Sequence, residues 1–213
     1  MTTRPGTIYI LRNPYFRNAV VKIGRTKRVP EKRAREISRA TGIPANFEVL
    51  YEEAVPDSDL AEMLIHRALS NFRINQRREF FQLPLKDAVR TVFKVCMALE
   101  QFETGEARPR LLIHVGDSRR TSNFVDNLKK VLSAHQGDQA SVYLEYRGRQ
   151  ATARMQLGPD WRINVTSDLA RALNKLRGAS WELLTAPTGT DEAQEWATAP
   201  PEADEDDDSE IPF

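Results

Sequence analysis

The sequence predicts an α+β fold: a small antiparallel sheet flanked by helices, then a second small α+β domain, then a disordered acidic tail. Three observations carry this. Two short runs rich in Ile, Val and Tyr, Ile8 to Leu11 and Ala19 to Gly24, are separated by Asn13, Pro14 and Asn18, which reads as a β-hairpin with a longish loop. Stretches of helical period open near Pro30, Pro56 and Pro84. A polar break at Gln101 to Arg110, with Gly105 and Pro109, precedes a second alternation of strand-like and helix-like runs. The expected domains are therefore 1–105, 106–184 and 185–213.

In chain order, Pro30 fits the first turn of a helix running to about Ala40 and closed by Thr41-Gly42. Phe47 to Val55 reads as a third strand. The next helix takes Asp57 or Ser58 as its N-cap and carries an apolar stripe of Leu60, Leu64, Ala68 and Phe72. Arg77 to Leu83 is a short extended segment in which Phe80 and Phe81 read as core. A helix follows from Leu85 to about Phe102. In the second domain, Leu111 to Val115 is a strand and Asn123 to His135 a helix capped by Thr121 or Ser122. Gln136-Gly137-Asp138 is a turn, Val142 to Leu157 a hairpin with its tip at Arg147-Gly-Arg149, and Trp161 to Val165 a last strand. A helix from Ser167 ends at Gly178.

The net charge of +1 conceals a polarity. Residues 1–105 balance at +6, residues 106–190 at +5, and residues 191–213 hold ten Asp/Glu and no Lys or Arg. A basic body with an anionic tail suits a nucleic-acid binder carrying its own competitor, although basic bodies and acidic tails are each common. The single Cys96 sits in an apolar run and excludes an intramolecular disulfide or a cysteine-based zinc site. With no run of about 18 apolar residues and no signal-type N-terminus, a cytoplasmic location and no membrane partner are expected.

The hairpin can set Tyr9 beside Lys22, a phenol next to an ammonium; the same residues also read as a half-exposed strand pair. Arg25, Lys27, Arg28, Lys32, Arg33, Arg35 and Arg39 form a dense basic run, with Arg28, Lys32, Arg35 and Arg39 on one helical face. Such a face is either solvated or in contact with phosphate. Glu62 and His66, one helical turn apart, can share a divalent ion or form a surface hydrogen-bonded pair.

Ile8-Tyr-Ile-Leu11 with Val21-Lys-Ile-Gly-Arg-Thr26 resembles the GIY-YIG nuclease superfamily, in the phage-type branch with Lys before Ile-Gly. The likeness continues through Arg33-x-x-x-Ile37, Thr41 to Phe47, Glu62-x-x-x-His66 and Glu79-Phe-Phe81, over residues 6–93. This resemblance implies a metal-dependent DNA endonuclease. Glu62 would be the ligand of Mg²⁺ or Mn²⁺, Tyr9 the general base, and Lys22 a source of nearby positive charge. Arg33 would stabilise the phosphate, with His66 and Glu79 in support. Lys22 replaces the family's second tyrosine, which leaves protonation of the leaving oxygen unassigned.

In the second domain, the His-Gln-Gly-Asp run before one strand and the Leu157 to Val165 run after another resemble the small C-terminal domain of the bacterial replicative polymerase α-subunit, a region that supports protein contacts there. The tail's Pro, Ala and acidic residues cannot build a core. Its last residues, Asp206, Asp207, Asp208, Ser209, Glu210, Ile211, Pro212 and Phe213, are similar to the acidic tip of bacterial single-stranded-DNA-binding proteins. An aromatic end with aspartates behind it is a plug for an apolar pocket with a basic rim. The expected partners are DNA, single-stranded DNA included, and replication or repair proteins that bind such tips. The first reading is an endonuclease recruited to replication or repair complexes. The rival is a non-catalytic single-stranded-DNA-binding protein on the same scaffold.

Overall fold

The computed structural model describes residues 4–16, 19–41, 45–75, 77–116, 123–147, 152–176 and 178–187. Two four-stranded sheets form. The first contains β1 (Gly6–Arg12), β2 (Val20–Thr26), β3 (Glu48–Val55) and β4 (Phe80–Gln82), in the order β3-β1-β2-β4 and antiparallel throughout. Three helices attend it: α1 (Pro30–Thr41), α2 (Ser58–Ala68) and α3 (Leu85–Thr104). The second contains β5 (Ala107–Gly116), β6 (Gln136–Arg147), β7 (Thr152–Gln156) and β8 (Ala179–Pro187), in the order β7-β6-β5-β8, with β5 and β6 parallel. Helices α4 (Phe124–Ala134) and α5 (Ser167–Lys175) accompany it.

The alternation of side chains along β1 explains why its run is apolar without interruption. Ile8 and Ile10, with Val21, Ile23 and Phe81, face Leu60, Ala61 and Ile65 of α2 and Ala88, Val92 and Cys96 of α3. Tyr9 and Leu11 face the other way and are closed over by Ala34 of α1 and Phe47. Both faces of β1 are covered. Asn13, fully buried, shapes the hairpin loop: its Oδ1 accepts from the Tyr15 N–H at 2.9 Å and its Nδ2 donates to the Ala45 carbonyl at 2.8 Å. Asp57 caps α2, accepting from the Leu60 N–H at 3.0 Å. Gly105, in the left-handed region, ends α3.

The larger apolar cluster continues from α3 through Phe102 into Leu111, Ile113 and Val142, and on to α4 and α5. The two sheets therefore share one buried cluster. Polar ties reinforce the junction. The Arg67 guanidinium lies over the Trp181 ring at 4.3 Å, and Asp59, nearly buried, meets Arg4 at 2.8 Å, Arg25 at 2.9 Å and Arg171 at 3.8 Å.

Several expectations for the second unit are corrected. Trp161 to Val165 is no strand: Pro159–Trp161 is a 3-10 turn, and Ile163 alone bridges to Gln136 and Ala140. Gln136-Gly137-Asp138 is the beginning of β6, not a turn. The two segments lie so close that a Cβ on Gly137 would fall 1.9 Å from the Asn164 side-chain oxygen, which is why a glycine stands there. Helix α5 ends at Lys175, and β8 follows as an unforeseen strand reaching Pro187, against β5. The proposed caps Thr121 and Ser122, and Arg149 at the hairpin tip, lie outside the described residues, as does the acidic tip from Asp206 to Phe213.

Candidate active site and nucleic-acid groove

Strand register places Tyr9 directly opposite Gly24, while Lys22 pairs with Leu11 on one side and Phe80 on the other. Tyr9 and Lys22 are thus diagonal neighbours on one face, not facing partners. Gly24 makes room for the Tyr9 ring: a Cβ there would sit 2.8 Å from the phenol oxygen and 3.0 Å from Cζ. Burial pushes the Tyr9 phenol up, and the neighbouring Arg33 guanidinium of α1 pulls in the opposite direction.

Lys22 Nζ pairs with the Glu79 carboxylate and stands 5.6 Å from the Phe80 ring centre. From α2, Glu62 accepts from Arg25 Nε at 3.0 Å. Burial pushes the Glu62 carboxyl up, and the neighbouring charge of Glu79 adds to this; Arg25 and Lys22 oppose it. Glu79 is held low on balance, its burial outweighed by Lys22. The charges of both carboxylates also bear on Tyr9. Tyr9, Lys22, Arg33, Glu62 and Glu79, drawn from three strands or strand ends and two helices, therefore form one electrostatically linked neighbourhood.

His66 sits within it in a different capacity. Its Nε2 lies 2.9 Å from the Ile23 carbonyl, which it can approach only as a donor, and Nδ1 faces Arg73 Nη2 at 3.3 Å. Burial, and then Arg73, lower its pKa. The ring is thus a neutral tautomer with both nitrogens engaged, tying α2 to β2.

The basic run divides. Arg25 turns inward to Asp59 and Glu62. Arg28 and Arg33 share Glu36, at 2.9 and 3.3 Å. Lys27, Lys32, Arg35 and Arg39 are exposed, and among the described residues no carboxylate pairs with them. Beside α1 an open groove of about 700 Å³ is lined by Lys22, Arg33, Arg77 and Arg78, together with Glu36, Glu79 and Phe80. Arg77 and Arg78 carry no role in the sequence reading. Their clue is plain enough: two arginines immediately before Glu79 in the segment that leads into β4.

Among the described residues no set of three His, Cys, Asp or Glu side chains converges to cage a metal. The fit is of another kind. Glu62 is a half-buried carboxylate whose charge is disfavoured by burial and by Glu79, and an added cation would relieve both. Mg²⁺ is commonly held by one or two carboxylates, with water and phosphate oxygens completing its shell. The residues present fit that mode.

Comparison with known proteins gives two matches, each to part of the chain. Residues 6–96, which span the first sheet, α1, α2 and the N-terminal half of α3, match the T5orf172 domain. Residues 127–178, from within α4 to the residue before β8, match the C-terminal domain of DNA polymerase III subunit alpha. No curated protein and no solved structure matches the chain. Its N-terminal part is thus similar to the T5orf172 domain, and part of its second unit to the C-terminal domain of DNA polymerase III subunit alpha.

Proposed function

We propose that this is a DNA-processing protein whose first unit is a GIY-YIG-type endonuclease, cutting phosphodiester bonds with the help of Mg²⁺ or Mn²⁺. The observation that carries the reading is the buried Tyr9, with Arg33, Lys22 and Glu79 lining a cationic groove and the Glu62 carboxylate bearing on the same phenol. The two domain matches support it. Phosphate would enter along Arg77 and Arg78 and meet Lys22 and Arg33, whose charges favour the extra negative charge of the transition state. Tyr9 can take a proton from water only when enough positive charge gathers to offset its burial; Arg33 provides part of it. A divalent ion on Glu62 would supply Lewis acidity to the phosphoryl group. Glu79 holds Lys22 in place, and His66 fixes α2 so that Glu62 is presented to the site.

A second reading, a single-stranded-DNA-binding protein that does not cut, is favoured by one feature. The two carboxylates of the site already have cationic partners in the fold, Glu62 in Arg25 and Glu79 in Lys22. The second unit and the tail would then recruit replication or repair proteins in either case. Glu62→Ala separates the two readings. The enzyme loses metal-dependent cleavage while DNA affinity, read by fluorescence anisotropy, is retained, since a negative charge is removed. Normal cutting by Glu62→Ala would place the site elsewhere.

A further inference from the structure

Away from the candidate active site, a groove of about 380 Å³ opens where α2, α3 and β8 meet. Its wall is apolar: Leu64 from α2, Val95, Ala98 and Leu99 from α3, Leu183 from β8. Two cations stand at its rim, Arg67, stacked on Trp181, and the exposed Lys94. Glu182 also lines the groove and its charge bears on Arg67, while its carboxylate reaches His114 Nε2 at 3.2 Å; Lys94 is the exposed cation of the rim. An apolar slot with a basic rim selects an apolar side chain flanked by acidic residues.

The chain carries such a segment. Glu202 to Phe213 contains seven Asp/Glu and closes on Ile211-Pro212-Phe213, with no lysine or arginine to oppose the charge. Its tether also suits the groove. The strand that supplies Trp181 to Leu184 is the strand from which residues 188–213 depart, three residues beyond Leu184. A segment of 26 residues reaches up to about 90 Å when extended, ample for a site at its own root. Tethering over so short a span gives an effective concentration on the order of millimolar, so that modest intrinsic affinity suffices.

We infer that the groove between α2, α3 and β8 is a docking site for the protein's own acidic end, with Phe213 and Ile211 in the apolar slot and the aspartates on Arg67 and Lys94. Self-docking and recruitment of a partner through the same residues then exclude one another: a partner must offer a better pocket than the protein's own. Such docking is independent of catalysis and stands whether or not the first unit cuts DNA.

The test uses the full chain, isotopically labelled, with backbone and methyl resonances recorded for the wild type, Phe213→Ala and Lys94→Glu. Lys94 is exposed, so its substitution leaves the fold intact, and Phe213 lies outside the described fold. The expected result is that both variants shift the same resonances, those of Leu64, Val95, Ala98 and Leu99. The shifts should be unchanged by tenfold dilution and reduced by added salt. Groove resonances indifferent to Phe213→Ala would overturn the inference. Shifts that vanish on dilution would do so too, since they would assign the groove to a second copy of the chain.

Discussion

Placing an alanine at Gly24 isolates the step from sequence to site most cleanly. A strand glycine is ordinarily a weakness, and its replacement by alanine is expected to stabilise by about 0.5–1 kcal/mol. Here the sign should reverse. The new Cβ would lie 2.8 Å from the Tyr9 oxygen, 3.0 Å from Cζ and 3.3 Å from Cε2, where carbon contacts need about 3.5–4.0 Å. The ring cannot retreat: Tyr9 is 2% exposed and packs with Leu11, Ala34 and Phe47. Overpacking of this kind costs about 1–3 kcal/mol. For a chain of this size the melting temperature falls about 2–4 °C per kcal/mol, so a drop between about 2 and 12 °C is expected by circular dichroism. The closest clash is with the hydroxyl, so Tyr9→Phe combined with Gly24→Ala should cost less than the sum of the two single changes. A Gly24→Ala protein that melts at or above the wild-type temperature would refute the packing argument and the placement of Tyr9 with it.

Two further outcomes follow from the same geometry. Neutralising Lys32 and Arg35 together should flatten the log–log salt dependence of DNA binding by about one to two units, since each phosphate no longer neutralised by the protein lowers the slope by about 0.7–0.9. An unchanged slope would move the DNA-binding surface to the groove of Arg77 and Arg78. His66 is neutral in the fold, with its pKa held below the ordinary value by burial and by Arg73, so the unfolded chain takes up the proton first. Its stabilising contribution is complete above about pH 6.5 and is lost as pH falls from there toward the folded-state pKa. His66→Gln, which keeps a donor for the Ile23 carbonyl, should show a shallower loss of melting temperature between pH 7 and pH 5, and an identical acid slope would rule out this role.

The first sheet is legible in the sequence because its determinants are local. Two β-rich runs with Asn13 and Pro14 between them specify a hairpin, Pro30 and Asp57 specify helix starts, and each acts within a few residues. Register is not legible. Nothing in the sequence says that Tyr9 faces Gly24 and leaves Lys22 diagonal, because loop geometry sets that alignment. The inward turn of Arg25 is hidden for a related reason: Asp59 and Glu62 become its neighbours only once α2 has packed on β2. In the second unit, Trp161 to Val165 has the composition of a strand, yet Gly137 and Asn164 bring it against the start of β6 through isolated contacts, not a ladder. The paired strand is β8, whose Ala179 to Pro187 run mixes polar and apolar residues and gains its pairing from β5, some seventy residues earlier. Tertiary context overrides local propensity there.

The most direct test of the central claim is incubation of the purified full chain with supercoiled plasmid and with circular single-stranded DNA, each with Mg²⁺, Mn²⁺ or EDTA. An endonuclease built on Tyr9, Arg33 and Glu62 should convert a circular substrate to nicked or linear product with a divalent ion, do nothing with EDTA, and lose all cutting in Glu62→Ala under any condition. Intact circles at all metal conditions, from a protein that still binds the DNA, would contradict that claim and leave the non-cutting binder in its place.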